Sequence, residues 1–128
     1  MKLADTFDGI DPSGKPVLSA ERTTVSDPEE RQRIQQFLDG GGFVMGARRR
    51  SLDLVDPNRG RAVPMNFHTD GEWIWPLEIG YYLQEYGVPV QANFLLHIRN
   101  CGYVAMVPDM PKIKRAIKLL NEISRSGG

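Results

Sequence analysis

The chain has 128 residues, with 16 Lys+Arg against 16 Asp+Glu and no net charge. That length suits one domain, here residues 1–128, with room for a real core. Neutrality speaks against a general nucleic-acid binder, and the single cysteine excludes an intramolecular disulfide and any multi-cysteine zinc site.

Met1–Asp5 is too polar to open a signal peptide, and no apolar run approaches the roughly 20 residues that cross a bilayer. A cytoplasmic protein is therefore expected. Asp11-Pro12-Ser13-Gly14 is a turn signal between Phe7/Ile10 and Val17/Leu18, which predicts a short hairpin. Asp27-Pro28-Glu29-Glu30 starts a helix. Asp27 caps it, Pro28 suits its first position, Ile34, Phe37 and Leu38 form its stripe, and Gly40-Gly41-Gly42 stops it.

The period then changes to two. Phe43–Met45 and Leu52–Val55 are strand candidates about Arg48-Arg49-Arg50, and Asp56–Gly60 is a turn. Val63, Met65 and Phe67 alternate with Pro64, Asn66 and His68 as in a half-buried strand. Asp70-Gly71 predicts a two-residue hairpin loop, with Glu72–Trp75 as the return strand. In that register Thr69 pairs with Glu72 and His68 with Trp73. Pro76 opens a helix to about Tyr86, Pro89 or Val90 opens another to near Gly102, and Tyr103–Val107 is extended, a further strand candidate. Asp109 or Met110 begins a last helix with Ile113, Ala116, Ile117, Leu120 and Ile123 on one stripe, and Ser124–Gly128 frays. The order predicts α+β, a small antiparallel sheet with helices packed on one face.

The zero charge is a sum of blocks. Residues 1–47 carry −3, 48–61 carry +3, 62–98 carry −4 and 99–128 carry +4. The segment 62–98 has no Lys or Arg, yet holds both Trp, both His and three of the four Tyr. Asn66, His68, Trp73 and Trp75 share one face of the predicted hairpin; Met65, Phe67 and Ile74 share the other. The indole face is either core under a helix or a recognition face.

His68 and His97 lack metal-ligand spacing, no G-x-S-x-G motif accompanies them, and Gly40–Gly46 is not a phosphate loop. No catalytic residue, metal or cofactor is expected. The arginine run reads as a solvated edge or an anion-binding patch. The helix pair about Gly87-Val88-Pro89 lacks the basic contacts of a DNA reader.

Arg61-Ala62-Val63-Pro64, Thr69-Asp70-Gly71-Glu72-Trp73-Ile74-Trp75 and Tyr81-Tyr82-Leu83 with Gly87-Val88 together resemble a group of small actinobacterial proteins. That group carries a T-D-G-x-W-[IV]-W segment followed by Y-Y-L and a glycine. Its members look like immunity partners of polymorphic or secreted toxins, and the resemblance covers roughly residues 43–100. It implies a non-enzymatic antitoxin that binds one cognate toxin and occludes its active site. The neutral charge favours an NAD-hydrolysing or ADP-ribosyl-transferring toxin over a nuclease. The expected contacts are His68, Asp70, Glu72, Trp73, Trp75, Glu78, Tyr81 and Tyr82, with Gly41, Gly42 and Phe43 from the glycine loop. Asp70, Glu72, Glu78 and Glu85 would face a basic rim on the toxin. The expected partners include no nucleic acid and no membrane, and the free chain is a monomer or weak homodimer. The alternative is a small ligand-binding or enzymatic domain using His68 with Asp70 or Glu72 in an aromatic pocket.

Overall fold

The computed structural model describes residues 1–126. Its elements in order are β1 (Lys2–Leu3), β2 (Gly9–Ile10), β3 (Pro16–Val17), α1 (Pro28–Asp39), β4 (Gly42–Met45), β5 (Ser51–Leu52), a single 3-10 turn at Pro57–Arg59, β6 (Arg61–Val63), β7 (Phe67–Thr69), β8 (Trp73–Pro76), α2 (Glu78–Tyr86), α3 (Ala92–Asn100) and α4 (Met110–Ser126). The fold is α+β. Four strands form the main sheet in the order β1-β8-β7-β4, and β2-β3 and β5-β6 are separate two-stranded ribbons.

Local chemistry accounts for most boundaries. Asp27 accepts from the Glu29 N–H at the start of α1, with Pro28 in its first turn. Gly87 ends α2 in the left-handed region, its N–H bonded to the Leu83 carbonyl, a backbone state that favours glycine. Asp11 folds the β2-β3 turn by accepting from the N–H groups of Ser13 and Lys15. That ribbon is tied down by Arg22, whose side chain is 2% exposed. It pairs with Asp8 at 2.9 Å and donates to the carbonyls of Thr6 and Pro89.

Several expectations need correction. The strand predicted through Val63–Phe67 is two strands in two sheets: Pro64 lacks a ladder donor, and the chain leaves the β5-β6 ribbon there. Pro76 closes β8 rather than opening α2, and Leu77 is the cap residue. Tyr103–Val107 is not a strand, because Tyr103 takes a positive φ of 64° and the segment pairs with no sheet. The hairpin loop is centred on Gly71-Glu72, not Asp70-Gly71. The pairs are Thr69 with Ile74, His68 with Trp75 and Phe67 with Pro76. Asp70 accepts through its side chain from the N–H groups of Glu72 and Trp73, which leaves the positive φ to Gly71 alone. The slip is two residues, so each side chain keeps its predicted face. Of the predicted fraying end, Ser124–Ser126 continue α4; Gly127 and Gly128 lie outside the described residues.

Both faces of the sheet are covered. Trp73 and Trp75 pack with Ile34, Phe37 and Leu38 of α1, Ile79 and Leu83 of α2, and Phe94, Leu95 and Ile98 of α3. Ile74 and Val44 pack with Ala116 and Leu120 of α4 on the opposite face. The sheet is also mixed, since β1 runs parallel to β8. The one-sided, purely antiparallel arrangement is thereby corrected. Every residue of β8 is buried, and such a strand needs cover on both sides.

Candidate functional site

The β7-β8 loop and the last turn of α3 converge. In the loop, Asp70 Oδ1 is engaged by two backbone N–H groups, so Oδ2 is left to point outward. His97 and Cys101 are four residues apart along α3 and its cap, and so share a face. His97 Nε2 lies 2.6 Å from Asp70 Oδ2, and the two side chains are only 13% and 5% exposed. His97 Nδ1 lies 3.5 Å from Glu72 Oε2. Cys101 Sγ sits 3.6 Å from Nε2 and 4.0 Å from Nδ1. Trp73 and Phe37 back the imidazole, with ring centroids 6.0 Å away in each case.

A hollow of about 200 Å³ opens beside this group, lined by Asp70, Glu72 and Cys101 and by Val104, Met106, Pro108 and Lys112. Its far wall is the connector between α3 and α4. Tyr103 anchors one end of it: the Tyr103 hydroxyl donates to Glu30, which also takes two 2.9 Å bonds from Arg99. Pro108 anchors the other end. A Cβ on Gly42 would lie 3.3 Å from Pro108, and one on Gly71 3.4 Å from it. Ala105 turns inward against Gly40. Between these anchors Val104, Met106 and Val107 point out, 68%, 74% and 71% exposed, followed by Met110.

Cysteine, histidine and aspartate suggest a nucleophile, base and orienting acid, but the geometry does not fit that use. The thiol sits closest to the nitrogen that already meets Asp70, whereas a base presents one nitrogen to each partner. Burial pushes the Cys101 thiol up, and the charges of Asp70 and Glu72 push it further, away from the reactive thiolate.

The expected contact residues divide sharply by burial. Glu72 and Phe43 are exposed. Trp73 and Trp75 are core, 7% and 0% exposed, and Trp75 Nε1 donates to the Leu38 carbonyl, which leaves no Trp75 surface for a docking partner. Their expected role as contacts gives way to core packing, because three helices cover the indole face. His68 is bound through Nδ1 to the Gly40 carbonyl at 2.8 Å, and the imidazole that meets Asp70 and Glu72 is that of His97. Tyr82 is buried, and its hydroxyl accepts from Leu54 N–H. The Tyr81 and Tyr86 hydroxyls both donate to Asp53, a fully buried carboxylate that also folds the turn at Val55 and Asp56. Gly41 and Gly42 serve close packing against Thr69, Trp75 and Ile113.

The acidic segment is also mostly engaged. Asp70 turns to His97, Glu78 takes the Thr6 hydroxyl at 2.5 Å, and Glu85 lies 3.6 Å from Arg59. Glu72, 3.5 Å from His97 Nδ1 yet largely exposed, stands at the rim of the hollow. Sequence reasoning missed His97 with Cys101, Asp53, and the exposed connector. The His-x-x-x-Cys spacing on a helix was the available signal for the first. Comparison with protein-family models, with curated proteins and with solved structures gave no match.

Proposed function

We propose that the protein is a non-enzymatic immunity protein, an antitoxin of the actinobacterial kind. It acts in the cytoplasm by binding one cognate secreted toxin and covering that toxin's active site. The observation that carries this reading is the connector. Val104, Met106 and Val107 stand out from a segment pinned at Tyr103, Ala105 and Pro108, with Met110 beside them. Isolated exposed apolar residues need no explanation, but four within seven positions form a patch of the kind that marks a protein contact. The pinned ends lower the ordering cost of docking. Glu72 at the rim adds a negative charge for a basic group on the toxin.

The contact surface in this reading is therefore Val104, Met106, Val107, Met110 and Glu72, with Phe43 on the exposed edge strand β4 as a second element. The neutral chain favours a toxin that consumes NAD or transfers ADP-ribose over a basic nuclease, whose inhibitors are typically acidic.

The test is co-expression with a toxin candidate, sought first among products of neighbouring genes. A stable complex on gel filtration and restored growth of the toxin-producing cells are the expected results. Met106→Glu and Val104→Glu should each weaken the complex about tenfold or more while leaving the melting temperature unchanged. A complex of full affinity in the double variant would remove the connector from the interface. A neighbouring toxin that neither binds nor is neutralised would overturn the antitoxin reading.

A further inference from the structure

We propose that Asp70, His97 and Cys101 form a binding site for a zinc-type divalent cation, with a fourth position open to the hollow under Met106. This inference goes beyond the antitoxin reading and does not depend on it.

The donor atoms are already gathered. One atom from each of the three residues lies within 4.8 Å of the others. Bonds of about 2.0–2.3 Å in a tetrahedron put ligand atoms about 3.3–3.8 Å apart. The Nε2···Sγ distance is 3.6 Å and already meets this, while Nε2···Oδ2 at 2.6 Å must open by about 0.7 Å. His97 and Cys101 are fixed by one helix. Asp70 is fixed by the two N–H groups on its other oxygen.

The second nitrogen supports the assignment. Nδ1 faces the Glu72 carboxylate at 3.5 Å, which leaves Nε2, beside Asp70 Oδ2 and 3.6 Å from Cys101 Sγ, as the nitrogen nearer the other two donors. Metal-bound histidines characteristically hand their other N–H to a carboxylate in this way.

The donor set selects the ion. One thiolate, one imidazole and one carboxylate suit zinc, whereas magnesium and calcium take oxygen ligands. Binding displaces the Cys101 thiol proton to solvent, and the two anionic ligands then balance the 2+ charge. Three protein ligands leave a fourth position, for water or a partner's side chain, facing Val104, Met106 and Lys112.

Cobalt(II), a spectroscopic substitute for zinc, tests this on the reduced, chelator-treated full chain. The expected result is one bound equivalent with a near-ultraviolet thiolate-to-cobalt absorption, bleached by one equivalent of zinc. The chain has one cysteine, so that absorption reports Cys101 without any substitution. Cys101→Ser should remove the band and weaken zinc binding tenfold or more. Glu72→Gln should keep the band and weaken binding about tenfold. Absence of the thiolate band from the wild-type protein overturns the site, as does equal zinc affinity in wild type and Cys101→Ser.

Discussion

Glu30 and Glu78 are carboxylates pushed in opposite directions by their surroundings. The Arg99 guanidinium and then the Tyr103 hydroxyl hold Glu30 down to about 2 from its usual 4.5. A depressed carboxylate contributes stability that is fully present above the unfolded value and is lost as pH falls through the folded one. The melting temperature should therefore drop between about pH 4.5 and pH 2, and Glu30→Gln should flatten that part of the curve. An unchanged slope in the variant would mean that other carboxylates dominate acid unfolding. Burial raises Glu78, and the Thr6 hydroxyl offsets only part of that. Its sign is reversed: stability is fullest below the unfolded value and declines as pH rises through the folded one. Glu78→Gln keeps an oxygen for Thr6 without a charge. It should melt higher than wild type at pH 7, and the gap should close near pH 4. Both shifts depend on groups distant in sequence, Arg99 for Glu30 and the packing that buries Glu78, so neither was legible in the chain.

At the scale of the elements, the α1-β4 connection shows how a readable signal acquires its reason. Gly40-Gly41-Gly42 marks a helix stop in any context. Only packing shows why Gly41 in particular must lack a side chain. Its φ is +70°, and a Cβ there would lie 2.5 Å from the Thr69 carbonyl oxygen and 3.2 Å from the Trp75 ring. Gly41→Ala should cost about 2 kcal/mol or more, read as a fall in the urea midpoint at constant slope. A cost below about 0.5 kcal/mol would show that the connection relaxes freely. The hairpin is the complementary case. Asp70-Gly71 correctly announced a turn, and period-two alternation correctly sorted the faces. The loop centre was misplaced because the Asp70 side chain, rather than a backbone carbonyl, accepts from the Glu72 and Trp73 N–H groups.

For the whole molecule, the two-sided core separates residues that look alike in sequence. Trp75 has no exposed surface and Phe43 is 57% exposed, although both were candidates for one interface. Trp75→Ala should cost about 3–5 kcal/mol. Phe43→Ser should stay within about 0.5 kcal/mol, as surface changes do. Because both indoles are buried, native tryptophan emission should be blue-shifted and poorly quenched by acrylamide. Red-shifted, readily quenched emission would contradict the helical cover over β8.

The sequence by itself determined the α+β class, the ends of α1, the stop of α2, the stripe of α4 as far as Leu120, with Ile123 left exposed, and the sorting of faces on the hairpin. Those features rest on local rules: capping, glycine's access to positive φ, and periodicity of apolar side chains. Tertiary structure alone decided that His97 rather than His68 meets Asp70 and Glu72, that Asp53 gathers two tyrosines, and that the connector turns its apolar side chains outward. Each brings together or exposes groups according to how the helices cross the sheet. Side-chain periodicity tells which face a residue takes, but not which residue from another element lies across from it.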